Sequence, residues 1–273
     1  MTESVRYGGV FANLRSLRGE PSDSRTPDEH AVRYRAPSDT PPGIAPLADI
    51  YLPAHADGAS VVLVHGGGFV FGSREMKPMR YLAARLAASG LAVCAIDYRM
   101  VFRGGRLDEA LADVTAAVAF WCQRAPRYGL DAARVSIIGV SAGATLAILA
   151  AGQVPQALHR AACCFGMYEI GHLRGVASVL PRLLFKTWDR SAWAARAPSA
   201  VPQPAIPVLL LHGDADRLVP VGQSRRLAAR RQELGLPTRL VVYPDAPHGL
   251  FNLATIPARE LAVRELVEHA IAR

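Results

Sequence analysis

Lysine is almost missing from this sequence. Lys77 and Lys186 are the only two, although the 273 residues carry 31 Lys and Arg against 23 Asp and Glu, so the net charge of +8 is arginine charge. Binding to a nucleic acid or an anionic membrane calls for short, dense basic runs. The densest cluster here is Arg225, Arg226, Arg230 and Arg231, whose helical spacing reads as the wet face of a helix, so no nucleic-acid partner is expected. Cysteine is scarce as well. Cys94, Cys122, Cys163 and Cys164 lie in apolar stretches without metal-ligand spacing, which speaks against a disulfide scaffold or a zinc site. They read as small buried hydrophobes in a reducing compartment. No stretch approaches the ~18 apolar residues of a membrane span. Glu3 comes early, and no apolar segment of ~7 residues precedes Arg15 to mark a secretion signal. The expectation is a soluble, cytoplasmic protein. There is no HExxH, no GxGxxG, and no Lys-Ser/Thr after the glycine-rich tract, so no metal, nucleotide or other cofactor is expected.

What the chain has is apolar material, 51% of its residues, enough for one large core. Residues 1–48 are rich in Pro, Ser, Asp and Arg, with four prolines in 36–46, and read as an N-terminal arm, either loose or folded over a site. From Asp49 the pattern becomes regular. Short apolar runs at 50–52, 61–64, 91–96, 135–140, 160–166, 208–212 and 239–243 read as strands. Helical patterns fall between them at 79–89, 107–124, 142–151, 222–234 and 258–272. Strands alternating with helices predict an α/β protein with a mostly parallel sheet covered on both faces. Chemistry in such sheets sits beyond the carboxyl ends of the strands. The catalytic unit is expected over 49–273. Residues 168–203 break the alternation and carry Phe185, Trp188 and Trp193, which predicts a small helical cap inserted over the site. These aromatics either line a substrate pocket or pack the cap onto the body.

Gly139-Val140-Ser141-Ala142-Gly143 is a GxSxG pentapeptide entered by a strand and left by a helix. Such a turn is sharp and strained, and it lifts the serine hydroxyl above the sheet at a helix N-terminus. Glycine on either side avoids collisions with the neighbouring strand and helix. Ser141 is the candidate nucleophile. Serine needs a base, and of the histidines downstream (His159, His172, His212, His248 and His269) His248 has the best position, on a glycine-flanked loop after the last strand. His269 reads as solvent-facing on the final helix, and His212 as a structural hydrogen-bonder at a strand end. The acid that orients the base comes from His212-Gly213-Asp214-Ala215-Asp216, with Asp216 preferred, Asp214 bracing the turn, and Asp189 and Asp245 as minor candidates. His65-Gly66-Gly67-Gly68-Phe69 follows the 61–64 strand, and its glycines can turn backbone N–H groups toward a substrate oxygen, with Ala142 adding another.

These motifs, together with Asp97-Tyr98-Arg99, Pro247-His248-Gly249 and Asp49-Ile50-Tyr51-Leu52-Pro53, stand in the order seen in α/β-hydrolase carboxylesterases. The chain resembles the branch with an HGGG loop, hormone-sensitive-lipase-like and feruloyl-esterase-like enzymes, over roughly 48–273. The resemblance implies an α/β-hydrolase fold with Ser141, Asp216 and His248 as catalytic triad. It implies Gly67, Gly68 and Ala142 as oxyanion-hole donors, and 97–99 as structural support. The expected substrate is a small-molecule ester with a short acyl chain or an aryl group, and Phe69, Phe185, Trp188 and Trp193 are the candidate substrate-binding side chains. The polar arm is shorter than the helical cap usual in hormone-sensitive-lipase-like enzymes. Kynurenine formamidases, an amide-cleaving alternative, usually show Trp where Phe69 stands. A third alternative is a hydrolase-fold binding protein that has lost catalysis. Monomer and homodimer are both compatible with the sequence.

Overall fold

A computed structural model of the protein describes residues 17, 21, 25–36, 46–171, 179–252 and 257–273. Eight strands form one sheet in the order β1-β2-β4-β3-β5-β6-β7-β8. They are β1 (Glu29–Arg33), β2 (Leu47–Tyr51), β3 (Ser60–Val64), β4 (Ala92–Ile96), β5 (Val135–Val140), β6 (Ala161–Cys164), β7 (Val208–Gly213) and β8 (Thr238–Tyr243). From β4 to β8 every neighbouring pair is parallel. β1 and β2 run antiparallel at one edge. The mostly parallel α/β sheet read from the sequence is therefore the one observed.

Strand periodicity explains how the sheet is covered. Val61 and Leu63 point to one face, where they share an apolar cluster with Tyr81 and Leu82 of α1 (Lys77–Ala88) and Leu266 of α7 (Pro257–Ile271). Val62 and Val64 point to the other. There they share an apolar cluster with Val114 and Val118 of α2 (Leu107–Arg124), Leu146 of α3 (Ala142–Gln153) and Leu227 of α6 (Gly222–Glu233). A strand buried on both sides needs an unbroken apolar run, which is what Val61 to Val64 supplies. α3 is apolar all round because it is covered all round. Among the described residues no helix is long and apolar enough to cross a membrane.

β1 corrects the reading of 1–48 as an arm, because Glu29–Arg33 is a sheet strand. Its register shifts between Glu29 and Val32, where Ala31 adopts φ 55° and gives its N–H to the Asp49 side chain at 2.9 Å. That bulge erases the alternation by which a strand is read. Most of the remaining arm lies outside the described residues.

The α6 arginines also need correction. Arg225, Arg226 and Arg230 are exposed, but Arg231 is fully buried. Its guanidinium donates to the carbonyls of Pro204, Ile206 and Pro237 and to the Thr238 hydroxyl. His269 is partly buried rather than solvent-facing, with Nε2 3.0 Å from the Ala161 carbonyl. The four cysteines are free, and burial pushes the Cys163 thiol up to about 12. Segment 168–203 holds α4 (Val179–Phe185) and α5 (Arg190–Ala195).

Candidate active site

β5 ends where its chain must reverse into α3, and Ser141 occupies the reversal with φ 54° and ψ −117°. This is a strained conformation for a residue with a side chain, held in place by the elements around it. The Ser141 N–H donates to the Cys164 carbonyl at 2.9 Å, and the Ser141 carbonyl accepts from Ala144 and Thr145 to start the helix. The flanking glycines are sterically required. A Cβ at Gly139 would lie 2.2 Å from the Gly143 carbonyl oxygen, and one at Gly143 would lie 2.3 Å from that of Val64.

The structure brings Ser141, His248 and Asp216 together from three separate loops. Ser141 Oγ is 2.9 Å from His248 Nε2, and His248 Nδ1 is 2.7 Å from Asp216 Oδ2. The second carboxylate oxygen, Oδ1, accepts from the Leu218 and Val219 amides at 2.9 and 2.8 Å. Burial pushes the Asp216 carboxyl up, but hydrogen bonds from His212 and His248, the charge of His248 and the Val219 amide outweigh it and hold it down at about 2. Asp216 is thus an anion at neutral pH. The other acids serve elsewhere. Asp214 accepts the Asp245 N–H at 2.7 Å, Asp189 caps α5 through Ser191, and Asp245 is exposed on a turn. His159 points to the chain end, 2.8 Å from the Ala272 carbonyl. His172 lies outside the described residues.

The glycine loop passes directly over the serine turn, since a Cβ on Gly66 would come 3.1 Å from Ser141 Cβ. Gly67, Gly68 and Phe69 all have positive φ, at 116°, 62° and 63°. The loop closes on itself through Val70 and Phe71 amides donating to the Gly67 carbonyl, and it is anchored by Val101 N–H donating to Phe69 O at 2.8 Å. Ala142 is the first residue of α3, so its N–H belongs to the helical amides without an acceptor one turn back. The 97–99 tract braces the loop from below. Tyr98 stacks on His65 at 4.3 Å and donates its hydroxyl to the His65 carbonyl, while Arg99 pairs with Asp113 through both of its oxygens. Asp97 receives the Arg74 guanidinium and the Arg74 amide. Arg74 also reaches Asp49 and Glu75 at 2.9 Å, so the carboxylates grouped with His30 at that place already hold a guanidinium cation.

The candidate substrate residues separate. Phe69 and Trp193 are buried, each 1% exposed. Trp193 packs with Ile170 and Ala197 and donates its ring N–H to the Thr187 carbonyl. Both are packed into the interior, and for Trp193 this is the packing alternative left open by the sequence. Trp188 is 61% exposed, with the Arg182 guanidinium 3.8 Å above its ring, and Phe185 is half-buried between two apolar clusters. Phe165 and Ser224 escaped the sequence, whereas His212 is the structural hydrogen-bonder read from its strand end. Phe165 meets the His248 ring edge-on at 5.0 Å, and His212 and Ser224 lie buried behind Asp216. Phe165 looks like the end of an apolar strand, so its φ of 42° and its partner have no local signature.

A parallel sheet, a strained serine at a strand-to-helix turn and acid and base on later loops, in the order Ser, Asp, His, together define one architecture. The chain has the α/β-hydrolase fold. A solved structure titled as a truncated carbohydrate esterase from gut microbiota superposes on this α/β-hydrolase chain with a TM-score of 0.75 at 20% identity, covering 93% of this chain and all of the other. The BD-FAE family model matches residues 48–165. The isoprenylcysteine α-carbonyl methylesterase ICME of Arabidopsis thaliana is 25% identical over 232 residues, 73% of this chain and 53% of the relative. Esterase LipQ of Mycobacterium tuberculosis is 29% identical over 226 residues, 74% of this chain and 52% of the relative. The chain thus spans about half the length of these curated relatives.

Proposed function

We propose that the chain is a serine carboxylesterase that hydrolyses short-chain or aryl carboxylic esters through an acyl-enzyme intermediate. The observation that carries this is the continuous Ser141–His248–Asp216 hydrogen-bonded line, with distances of 2.9 and 2.7 Å, ending at a strained serine. His248 takes the Ser141 proton as Oγ attacks the ester carbonyl. The N–H groups of Gly67, Gly68 and Ala142 receive the oxyanion, each donor worth roughly 3 kcal/mol of transition-state stabilisation. His248 then gives its proton to the leaving alcohol. A water, deprotonated by His248, attacks the acyl-enzyme and releases the acid and the free serine. Asp216 stays ionised throughout and stabilises the imidazolium. The chemistry runs without metal or cofactor. The complete, connected set weighs against a binding protein that has lost catalysis.

The catalytic unit is residues 49–273, extended by the β1 strand, with 168–203 as its cap. Phe185 and Trp188 are the cap aromatics we assign to the substrate side, with Phe69 and Trp193 setting the shape behind them. Esterase names among the relatives support a small-molecule ester as substrate. Four free cysteines suit a reducing, cytoplasmic setting. The test is hydrolysis of p-nitrophenyl esters from acetate to decanoate by the wild type and by Ser141→Ala. Loss of activity in the variant supports the nucleophile, and the chain-length profile sizes the pocket. Activity that survives in Ser141→Ala sinks the proposal. A folded wild type inert to esters but active on N-formyl amides turns it to a formamidase.

A further inference from the structure

The Asp216 side chain is entirely buried, accepts from three N–H donors and has a further ring nitrogen close by. Two are the backbone amides on Oδ1. The other two are imidazoles sharing Oδ2, His248 Nδ1 at 2.7 Å and His212 Nε2 at 3.2 Å. His212 lies near the end of β7, with no exposed surface. Its other nitrogen, Nδ1, is 2.7 Å from the hydroxyl of Ser224, also fully buried, on α6. The line Ser141–His248–Asp216 therefore continues through His212 to Ser224.

The partners fix the tautomer. Nε2 of His212 faces two acceptors, the Val219 carbonyl at 2.8 Å and Asp216 Oδ2. A bare lone pair there would be repelled by both, so Nε2 carries the hydrogen and donates. Nδ1 is then the acceptor, and the Ser224 hydroxyl donates to it. A strand end and a helix thereby hold one N–H on the Val219 carbonyl at 2.8 Å, with its nitrogen 3.2 Å from the oxygen that His248 uses. We infer that His212, locked by Ser224, is a positioning residue of the triad, holding the Asp216 carboxylate in line with His248 and tempering its pull on the His248 proton. This rests on the esterase reading above. Without the His212 donor, the buried carboxylate turns more freely and its Oδ2 becomes more basic. A more basic Oδ2 stabilises the imidazolium formed during turnover, so the acidic limb of activity moves to higher pH.

The test uses the full chain with p-nitrophenyl acetate across pH, and phosphonylation of Ser141 by a fluorophosphonate as an ester-independent readout. His212→Leu is expected to lower kcat about tenfold or more with KM within about twofold, by the misplacement of a catalytic group. It should also shift the acidic limb of kcat/KM upward by about half a pH unit, since loss of a hydrogen bond to the carboxylate raises its basicity. His212→Gln, whose amide can present an N–H near the Nε2 position, should restore most of the rate and the limb. Ser224→Ala should show a smaller change of the same sign, and it keeps the test open if His212→Leu does not fold. A His212→Leu or Ser224→Ala chain whose pH limb stays at the wild-type position, with activity lost only in proportion to folded protein, overturns the inference. So does failure of His212→Gln to recover the limb. A wild type that neither hydrolyses the ester nor labels at Ser141 overturns the triad reading itself, and this one with it. Wild-type activity matched by all three variants overturns only this one.

Discussion

The Phe165 ring stands edge-on to the His248 imidazole, centroids 5.0 Å apart, and packs in turn on Phe251 at 5.8 Å. His248 belongs to a loop, so its ring orientation depends on hydrogen bonds at both nitrogens and on this wall. The backbone of Phe165 is fixed by its N–H to the Leu211 carbonyl at 2.7 Å, which carries the order of the sheet to the base. Phe165→Leu keeps an apolar side chain but removes the flat wall. It should lower kcat by about tenfold with little change in KM, because a small misplacement of a catalytic group costs rate rather than binding. A variant that keeps the wild-type kcat would show that Asp216 alone orients His248.

Neighbouring glycines in the 66–68 loop should respond oppositely to alanine. A Cβ on Gly67 would lie 1.7 Å from the Phe71 carbonyl oxygen, backbone that has nowhere to go. Gly67→Ala should therefore distort the loop and abolish turnover or folding. Gly68 also has positive φ, 62°, yet a Cβ there meets nothing within 4 Å. Gly68→Ala pays only the left-handed backbone cost of about 1–2 kcal/mol. It should fold and retain measurable turnover. Melting curves and kinetics of the two variants decide this. Equal tolerance of both would mean the Gly67 turn can be rebuilt.

The sheet was legible because strands covered on both faces carry unbroken apolar runs such as Val61 to Val64, and helices such as Leu107–Arg124 carry a clear stripe. Ser141, His248 and Asp216 were legible because a strained turn needs glycines at fixed offsets and because acid and base follow later strands. What stayed hidden depends on partners distant in sequence. β1 is interrupted by a bulge whose cause is Asp49 on another strand. Phe165 and Ser224 look like ordinary core residues until the fold places them against His248 and His212. Arg231 shares its helical spacing with three exposed arginines. Its burial is set by the carbonyls of two other segments.

That contrast gives a stability prediction. Arg231 is buried with the Pro204, Ile206 and Pro237 carbonyls as acceptors, and burial lowers its guanidinium to about 10. Arg231→Met fills similar space but strips the Pro204 and Ile206 carbonyls of their donor, while Pro237 keeps the Val208 N–H, so it should cost about 2–4 kcal/mol, two lost partners at ~1–3 kcal/mol each with some relief from burying no charge. Arg230, one position away, is exposed and makes a surface contact with Glu233 at 3.4 Å. Arg230→Ala should change stability by no more than about 0.5 kcal/mol. Urea midpoints of the pair measure the difference. Similar effects for both would remove the role assigned to Arg231.

His269 gives the molecule a dependence on acid. Burial lowers its imidazole to about 4, against an ordinary value of 6.5, although its hydrogen bond to the Ala161 carbonyl opposes the shift. The unfolded chain therefore binds a proton at a pH where the folded chain does not. Between these two values the unfolded state gains protons first, so stability is full above about pH 6.5 and falls as pH drops toward about 4. The shift corresponds to about 3.5 kcal/mol at most, at about 1.4 kcal/mol per unit. His269→Gln keeps an amide N–H for the Ala161 carbonyl and removes the titration. Its stability should be close to wild type at pH 7.5 and exceed it at pH 4.5. Asp216 adds a separate loss at lower pH, as its carboxyl, held at about 2, is protonated first in the unfolded chain below the ordinary value of 3.8. Chemical denaturation of both proteins from pH 4.5 to 7.5 separates the two contributions, since only the His269 part lies within that window. Parallel curves for wild type and His269→Gln would assign the acid sensitivity to other groups.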